Sequence, residues 1–553
     1  MALSKKVMKT TSQHLEQIGY LVRGELVTDM ASRQKCAYDG SIFTILPEAV
    51  LFPKDAGDIQ AVLHYLYIQS SMGEIVPSLT MRGRGSDQAG GPLGLGIVVD
   101  TTRHLQQILE IGKDFVRVEP GVRYGELQKE LKKRGRYLPP YPASLEICTI
   151  GGAVSNNSSG EKTVKYGDTR DYVIGLKVIL SNGENVYFSS MSLDEADRVG
   201  KKRTMEGKVY REILALLDMH KRENEVPAFQ VTKNATGYCV WEIETHGHFD
   251  LTKLLVGSQG TLGVITEITL RTEPFPKDFV LIAGYFASIE SAALATGELL
   301  PLAPSALEIV DKNLLRLVEE RQPGHLQGLV PDILPEIVLV IEFDDKDDKK
   351  RLAKGRTAQT ILEKYAYHYK EEKKPSEQDR LWDLRRSSAA VIWTVPGDMK
   401  ALPIVEDGVV PPELLPEFFR KAYALFDTYD LRIAIWGHAG DANLHMQPFM
   451  NLSDPKDRAK IWPFVEEFHA LILAMGGCIS AEHNDGLLRS PYIKAQYGEE
   501  LYEIFRSVKH IFDPHSILNP GKKIDVSLES IKPLLRDSYN LNHLVNNAEE
   551  INR

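Results

Sequence analysis

The sequence predicts an α+β protein with two sheet-containing domains, and three observations carry that prediction. Between residues 80 and 271, short apolar strand candidates alternate with amphipathic helices, and glycine is dense between them. After the proline-bearing segment 273–278, a second series of strands and helices begins. The length of 553 residues also exceeds one ordinary core, since a domain takes roughly 150 residues. We therefore expect roughly two to four packed units.

The elements follow in chain order. Residues 1–45 predict a helix and a connector, AVLFP predicts a strand, and residues 55–68 carry apolar residues at helical spacing. The first sheet domain continues with the strand candidates SLTMRG, GIVVD, FVRVEPGV, VIGLKVILSNG and GVITEITLR. The second contains FVLIAGYFAS, a helix from Ile289 and EIVLVIEFDD. From Asp525 onward the periodicity weakens, which predicts a tail or a surface helix.

The composition excludes several classes of protein. Hydrophobic residues make up 43% and charged residues 26%, as in ordinary globular proteins. The net charge is −10, with Lys and Arg interspersed among Asp and Glu, so we expect no nucleic-acid partner. We find no secretory signal and no run of about 18 apolar residues. The sequence therefore predicts a cytoplasmic protein without a spanning segment, leaving peripheral attachment at the inner membrane face open.

The cysteine pattern argues against an iron–sulfur cluster in this sequence. The four cysteines lie far apart and form no CxxC motif. This spacing is typical of buried apolar thiols in a reducing compartment.

Three glycine-rich loops indicate an extended phosphate-bearing ligand. They are MRGRGSDQAGGPLGLGIVVD (residues 81–100), the stretch 149–179 beginning TIGGAVSNNSSG, and LLVGSQGTLGVITEITLR (residues 254–271). Glycine lets backbone N–H groups approach an anion closely. None of the loops matches the Rossmann or Walker pattern. A single such loop can be a plain tight turn, but three together can wrap one ligand that carries a pyrophosphate.

Two short motifs in the second domain carry candidate metal ligands. GHAGDANLH (residues 437–445) predicts a strand, a turn and a strand, which would bring His438 and His445 together at a hairpin. SAEHNDG (residues 480–486) offers Glu482 as a carboxylate ligand and His483 as a base. Two His and one Glu with an open position suit Zn²⁺, and Mn²⁺ or Fe²⁺ would also fit. Polar turns without a metal remain the alternative.

Together these motifs resemble the FAD-linked flavoproteins of the vanillyl-alcohol-oxidase (PCMH) type, in the branch of D-lactate dehydrogenase, the glycolate oxidase flavin subunit and D-2-hydroxyglutarate dehydrogenase. The likeness covers residues 42–524. It implies a PCMH-type FAD-binding domain of two subdomains at 46–275 and an α+β substrate (cap) domain with an antiparallel sheet at 276–484. Residues 485–524 would return to the FAD domain, leaving 1–45 as an N-terminal helical segment and 525–553 as a tail.

The resemblance implies a set of cofactor-binding residues. The expected FAD contacts are Arg82, Gly83, Arg84, Gly85, Ser86, Asp87, Gly90, Pro142, Ser144, Thr149, Gly151, Gly152, Asn156, Gly160, Asp168, Tyr172, Ile174, Gly257, Thr261, Gly263, Ile265 and Asn519. Arg84 stands where the family has glycine. Since no His or Cys lies in the loop where flavoproteins of this type attach FAD covalently, we expect noncovalent FAD.

The resemblance also implies the roles of the remaining site residues. His438, His445 and Glu482 would bind the metal and His483 would act as the catalytic base. Arginine suits a substrate carboxylate because its planar fork bonds both oxygens, and the helical segment EQDRLWDLRRSSAAVIW resembles the family stretch whose arginine contacts substrate. The expected substrate contacts are Arg385, which would also be catalytic, with Ser388 (or Ser387), Lys400 and Asn443. Asn484 and Asp485 replace the family's usual Gly-Ile after the histidine.

The function predicted is FAD-dependent oxidation of a D-2-hydroxy acid, such as D-lactate or D-2-hydroxyglutarate, to the 2-oxo acid. His483 would take the hydroxyl proton with help from the metal, and a hydride would pass to flavin N5. Alternatives are an enzyme like alkyl-dihydroxyacetone-phosphate synthase and a noncatalytic flavin electron-transfer subunit. The expected partner is a separate acceptor, such as an iron–sulfur subunit, an electron-transfer flavoprotein, a quinone or a cytochrome; a homodimer is left open.

Overall fold

The computed structural model describes residues 2–219, 230–393, 395 and 397–544. The strands are β1 (Glu25–Val27), β2 (Ala49–Phe52), β3 (Leu79–Arg82), β4 (Ile97–Asp100), β5 (Ile108–Ile111), β6 (Phe115–Val118), β7 (Arg136–Tyr137), β8 (Val173–Ile179), β9 (Asn185–Ser189), β10 (Met191–Ser192), β11 (Glu244–Thr245), β12 (His248–Phe249), β13 (Val264–Arg271), β14 (Glu273–Pro274), β15 (Val280–Phe286), β16 (Ala306–Asp311), β17 (Ile337–Phe343), β18 (His368–Glu372), β19 (Met399–Ala401), β20 (Ile433–His438) and β21 (Asn443–Asn451).

The helices are α1 (Ala2–Leu21), α2 (Met30–Cys36), α3 (Ala56–Ser71), α4 (Tyr124–Lys132), α5 (Ile150–Asn156), α6 (Thr163–Tyr166), α7 (Leu193–Gly200), α8 (Met205–Met219), α9 (Thr252–Leu255), α10 (Ile289–Leu299), α11 (Lys312–Arg321), α12 (Asp348–Tyr365), α13 (Pro375–Trp393), α14 (Leu415–Thr428), α15 (Pro455–Ala474), α16 (Ile493–Phe512) and α17 (Leu528–Ile531). Single 3₁₀ turns occur at Thr169–Asp171, Val240–Glu242, Leu300–Leu302, Pro412–Leu414, Ala439–Asp441, Ser490–Tyr492 and Lys532–Leu534.

The first lobe (residues 25–274 with 493–524) contains two main sheets. One has the order β1-β2-β4-β3, in which β2, β4 and β3 run parallel and pack on α3 through Ile59, Val62 and Leu63. The other is antiparallel, with the order β5-β6-β13-β8-β9, and shares a core with α4, α8 and α16. These sheets pack separate cores, which makes the lobe two subdomains.

The second lobe (residues 275–485) is organised around a seven-stranded antiparallel sheet of order β18-β15-β17-β16-β20-β21-β19. Strand β15 is buried along its whole length because both faces of the sheet are covered. Ile282 and Phe286 point into one core, and Leu281 and Tyr285 point into another on the opposite face. The predicted α+β fold and the antiparallel sheet of the cap are confirmed.

The segment after residue 525, for which the sequence predicts a tail or a surface helix, contains the short helix α17 and is packed against the rest of the chain. Leu535 bridges to Phe43, and the guanidinium of Arg536, 3% exposed, donates from Nε to the Phe43 carbonyl oxygen over 2.8 Å. Arg458 of the second lobe donates to the Arg536 carbonyl oxygen over 2.6 Å. The segment therefore contacts both lobes up to Leu544. Its packing uses irregular backbone, which left no periodicity for the sequence to display.

Among the described helices, none combines the length and the hydrophobicity required to cross a membrane.

Candidate active site

A cavity of about 380 Å³ lies between the two lobes. One wall belongs to the first lobe and is formed by residues from the loop 81–92, the segment 142–149 with α5, and the loop 259–265, although not every residue in these ranges lines the cavity. The opposite wall belongs to the second lobe and is formed by Arg386, Trp436, His445, Gln447, Glu482 and His483. We call these surfaces the glycine wall and the charged wall. The volume is in the range of a small-molecule site.

The glycine wall consists largely of backbone that packs closely against neighbouring residues. The side chain of Thr149 caps α5 by accepting from the Gly152 amide over 3.2 Å, which places two glycines at the cavity. A Cβ on Gly151 would lie 2.5 Å from Cβ of Pro120, and Gly85 adopts φ +70°, so both positions need glycine. The loop therefore presents peptide groups that a side chain would cover.

Two arginines make this wall fit a diphosphate. Among the described residues, Arg82 Nη1 and Arg84 Nε are buried without a hydrogen-bond partner, although both side chains line the cavity. A buried cationic donor left unpaired is costly, and phosphate oxygens are its natural acceptors. The residues present therefore fit an FAD pyrophosphate. Arg84, which replaces a family glycine, faces the cavity.

Many residues predicted to contact FAD line the cavity. They are Arg82, Gly83, Arg84, Gly85, Ser86, Asp87, Pro142, Ser144, Thr149, Gly151, Gly152, Asn156, Gly263 and Ile265. Other lining residues are not among those predicted from the sequence: Glu146, Ile147, Cys148, Ser155, Ser158, Gln259 and Gly260. They lie next to predicted residues, so reading each loop as a continuous surface would have found them.

Five further predicted cofactor residues support the cavity from behind. They are Gly90, Gly160, Gly257, Thr261 and Asn519. Asn519 donates from Nδ2 to the carbonyl oxygens of Gly91 (3.0 Å) and Gln259 (2.7 Å), and so holds two cavity loops together.

The structure does not support a cofactor contact for three predicted residues. Ile174 is 45% exposed on β8, Tyr172 is buried in the core of the first lobe, and Asp168 accepts from Asn157 Nδ2 over 2.6 Å. All three lie outside the cavity lining. The alternation of β8 turns Ile174 away from the cavity, and Asp168 and Tyr172 cap the 3₁₀ turn that precedes this strand.

On the charged wall, the hairpin of β20 and β21 brings the two predicted ligand histidines together. Trp436 pairs with His445 and His438 pairs with Asn443, so His438 and His445 project from the same face. The rings of His438 and His445 meet edge to face, with centroids 5.3 Å apart.

Glu482 completes a cluster with these histidines. Its Oε1 lies 3.0 Å from His438 Nε2 and 3.5 Å from His445 Nε2, and the three potential ligand atoms lie within 4.8 Å of one another. The opposite ring nitrogens are held, His438 Nδ1 by Glu308 (2.9 Å) and His445 Nδ1 by the Glu406 carbonyl oxygen (2.8 Å). Both Nε2 atoms therefore face Glu482, as a shared metal would require.

A fully buried lysine holds the other oxygen of Glu482. Lys233 Nζ lies 2.8 Å from Glu482 Oε2, which also accepts from Ser159 Oγ. Burial raises the pKa of Glu482, but Lys233 and His438 outweigh burial and place this pKa well below its usual value. Burial lowers the pKa of His445. An ionised carboxylate and a neutral imidazole are the forms that bind metals.

His483 stands beside this cluster and faces the cavity. Its ring stacks on His445 with centroids 5.0 Å apart, and its Nδ1 lies 3.1 Å from Glu406 Oε2. Asp407 fixes the loop, since its Oδ2 accepts from the amides of Glu482 (3.1 Å) and His483 (2.8 Å). Burial lowers the pKa of His483, but Asp407 and Glu406 outweigh burial and raise it to about 9.

The charge balance of this region fits a divalent cation. Among the described residues around the histidines, the carboxylates outnumber the Lys and Arg side chains by five to three: Glu308, Glu406, Asp407, Asp441 and Glu482 against Lys233, Arg385 and Arg489. Buried charges require compensation. The raised pKa of His483 lets its imidazolium supply part of this compensation, and a dication at the three ligands would supply it instead. Its field would also lower the pKa of His483 towards neutrality.

The predicted substrate residues are less well placed than the predicted ligands. Arg385 is 2% exposed and lies outside the cavity lining, with Nε 2.8 Å and Nη2 2.6 Å from Glu308 Oε2. Its neighbour Arg386 does line the cavity and pairs with Glu161 over 2.6 Å. The structure thus places Arg386, rather than Arg385, at the cavity surface.

The other predicted substrate residues do not reach the cavity lining. Lys400 donates to the Val395 carbonyl oxygen, and Asn443 is fully buried, donating to the Gly408 carbonyl oxygen over 3.3 Å. The side chains of Ser387 and Ser388 lie outside the described residues.

Asn484 and Asp485, which depart from the family pattern, anchor the loop instead of facing substrate. Asn484 donates to the carbonyl oxygens of Asn156 (3.0 Å) and Gly257 (2.9 Å). Asp485, fully buried, accepts from Lys523 Nζ over 2.7 Å. They fasten the charged wall to the first lobe.

Sequence reasoning missed Lys233, Glu308, Glu406, Asp407 and Arg386. Glu308 interrupts an apolar strand, and Glu406-Asp407 interrupts the apolar run PIVEDGVV. A charged residue inside an apolar run signals a buried, paired side chain. The sequence does not show which residue each of these charged side chains pairs with.

Two family models match this chain in consecutive segments. Residues 47–189 match the model described as an FAD binding domain, and residues 275–523 match the C-terminal domain of FAD linked oxidases. The D-2-hydroxyglutarate dehydrogenase of Escherichia coli (strain K12) is 30% identical over 92% of this chain, and the chain spans about half of that protein (51%). Glycolate oxidase subunit GlcD of Bacillus subtilis (strain 168) is 29% identical over 89% of this chain and 92% of its own length.

Solved structures share the fold at low identity. The 4-ethylphenol oxidase from Gulosibacter chungangensis has a TM-score of 0.69 at 16% identity, covering 94% of this chain and 98% of its own. An alkyldihydroxyacetonephosphate synthase has a TM-score of 0.61 at 15% identity, covering 92% and 84%. The predicted family is confirmed: the chain belongs to the FAD-linked oxidases, with their FAD-binding domain followed by their C-terminal domain.

Proposed function

We propose that this protein is an FAD-dependent dehydrogenase that oxidises a D-2-hydroxy acid to the corresponding 2-oxo acid. The observation that carries the proposal is the His438, His445 and Glu482 cluster with His483 beside it, facing a glycine-built cavity wall. Relatives named D-2-hydroxyglutarate dehydrogenase, glycolate oxidase subunit and D-lactate dehydrogenase support the substrate class.

FAD and a divalent ion would each supply one part of the chemistry. When bound, noncovalent FAD would accept the hydride from the substrate carbon, and a divalent ion (Zn²⁺, with Mn²⁺ or Fe²⁺ as alternatives) would make the hydroxyl more acidic. Arg82 and Arg84 would hold the diphosphate, and His438, His445 and Glu482 would hold the ion. A separate electron acceptor would reoxidise the flavin.

The protein's own residues would move the proton and orient the acid. His483 would accept the hydroxyl proton at Nε2 while Nδ1 donates to Glu406, which stabilises the resulting imidazolium. For the substrate carboxylate we propose Arg386, because it is the guanidinium that the charged wall exposes. Arg385, the residue predicted from the sequence to bind the substrate carboxylate, lies outside the cavity lining.

The test is anaerobic bleaching of the flavin absorbance by a panel of D-lactate, glycolate and D-2-hydroxyglutarate, with L-lactate and L-2-hydroxyglutarate as controls for the two chiral acids. We expect at least one D-2-hydroxy acid to reduce the flavin and its enantiomer to fail. Reduction excludes both the lipid-synthase-like alternative and a noncatalytic electron-transfer subunit. A fully loaded protein that no 2-hydroxy acid reduces would overturn the proposal.

A further inference from the structure

Glu308 occupies a position that the catalytic scheme leaves unexplained. It lies on β16, 1% exposed, on the same face as the apolar Ala306 and Val310. Its Oε1 lies 2.9 Å from His438 Nδ1, and its Oε2 lies 2.8 Å from Arg385 Nε and 2.6 Å from Arg385 Nη2. One buried carboxylate thus joins a predicted metal ligand to the helix that carries both arginines.

The two histidines of the cluster are held in different ways. The carbonyl oxygen of Glu406 holds His445, and no side-chain substitution removes that acceptor. A side chain holds His438, so its ring orientation and tautomer depend on Glu308. A carboxylate on the remote nitrogen fixes which nitrogen is free to bind and makes it a stronger ligand.

Arg385 explains why a charge can be buried there. An unpaired carboxylate at this depth would be expensive, and the arginine fork supplies a neutralising partner with two short contacts. Because Arg385 binds Oε2, Oε1 is left to His438. The pairing therefore keeps the carboxylate ionised and aimed at the imidazole.

We infer that Glu308 is a positioning residue for the metal site: it holds His438 with Nε2 towards Glu482 and ties this ligand to α13 through Arg385. The inference rests on the proposed metal site. It assigns to Arg385 a structural role in that site, in addition to any contact with substrate.

The test compares Glu308→Gln with a matched control, Glu342→Gln, in the full FAD-loaded chain. Glu342 is a 3% exposed carboxylate on the adjacent strand β17 that binds Lys162 and Ser305 and touches no predicted ligand. Zn²⁺ affinity is measured by competition with a chromogenic chelator. We expect Glu308→Gln to weaken Zn²⁺ binding by about 10- to 100-fold, with unchanged FAD content, and Glu342→Gln to bind Zn²⁺ like the wild type.

A second variant keeps the inference testable if Glu308→Gln folds poorly. Glu308→Asp retains the charge but is one methylene shorter, so we expect intermediate Zn²⁺ affinity. Saturating Zn²⁺ should restore flavin reduction towards the wild-type rate in either variant. Wild-type Zn²⁺ affinity in both variants, or equal weakening in Glu342→Gln, would overturn the inference. Failure of the wild type itself to bind Zn²⁺ would instead sink the proposed metal site.

Discussion

The two walls of the cavity differ in the parts of the chain that form them. The glycine wall uses backbone and small residues contributed by short contiguous stretches, such as residues 82–87 and 149–156. The charged wall uses side chains whose partners lie far away in the chain: 249 residues separate Lys233 from Glu482, and 130 separate Glu308 from His438. Each loop of the first wall is therefore a contiguous stretch, whereas the second wall depends on pairs of charged residues that are distant in the chain.

Because the walls differ in this way, substitutions on them should have different effects on FAD and metal binding. Glycines on the first wall are required for space, so a substitution there should affect FAD and leave the metal ligands in place. Carboxylates and cations on the second wall compensate each other, so a substitution there should affect the metal or the chemistry and leave FAD bound. Variants on each wall test whether the two walls act independently.

The largest expected effect comes from His483→Ala on the charged wall. Removing a general base should slow flavin reduction by substrate by about 10²- to 10⁴-fold. FAD content should stay at the wild-type level, because the glycine wall is untouched. Anaerobic stopped-flow absorbance and the flavin-to-protein ratio measure the two quantities. Reduction at the wild-type rate would remove His483 from its assigned role.

An intermediate effect is expected from Gly151→Ala on the glycine wall. The new Cβ would lie 2.5 Å from Cβ of Pro120, and such overpacking costs about 1–3 kcal/mol. We expect FAD affinity to fall by about ten- to a hundredfold while bound metal is unchanged, as measured by flavin retention and metal analysis.

Gly297→Ala on α10 is the control for Gly151→Ala, because no atom lies within 4 Å of its added Cβ. Loss of metal together with FAD in Gly151→Ala would show that the two walls are not independent.

The smallest expected effect comes from Arg386→Met. This side chain is partly exposed (39%), so solvent screening reduces the value of its contact with a carboxylate. We expect the substrate Kd to rise by about tenfold with unchanged Zn²⁺ affinity. The neighbouring Arg385→Met should do the reverse, weakening Zn²⁺ binding more than substrate binding. Titration of each variant with substrate and with Zn²⁺ separates the roles, and the opposite pattern would return the carboxylate contact to Arg385.

Much of the architecture was predictable from local patterns. The alternating strands and helices gave the α+β class, and the continuous apolar runs FVLIAGYF and EIVLVIEF became β15 and β17, buried on both faces. The three glycine loops predicted most of the glycine wall. Ile174 lies outside the cavity lining, because a motif match carries no information about which face of a strand a residue occupies. The packing of residues 526–544 was not predictable, because mostly irregular backbone leaves no hydrophobic period in the sequence.

The fold class, the three glycine-rich loops and the two motifs GHAGDANLH and SAEHNDG follow from the sequence alone. Each of them lies in contiguous residues, whose spacing sets the local geometry. Only the tertiary structure decided that Arg386 faces the cavity, that Asn484 and Asp485 anchor a loop, and that Lys233 and Glu308 complete the charged wall. The physical reason is that Coulomb attraction and hydrogen bonding depend on distance in space, and chain topology alone brings these charges together.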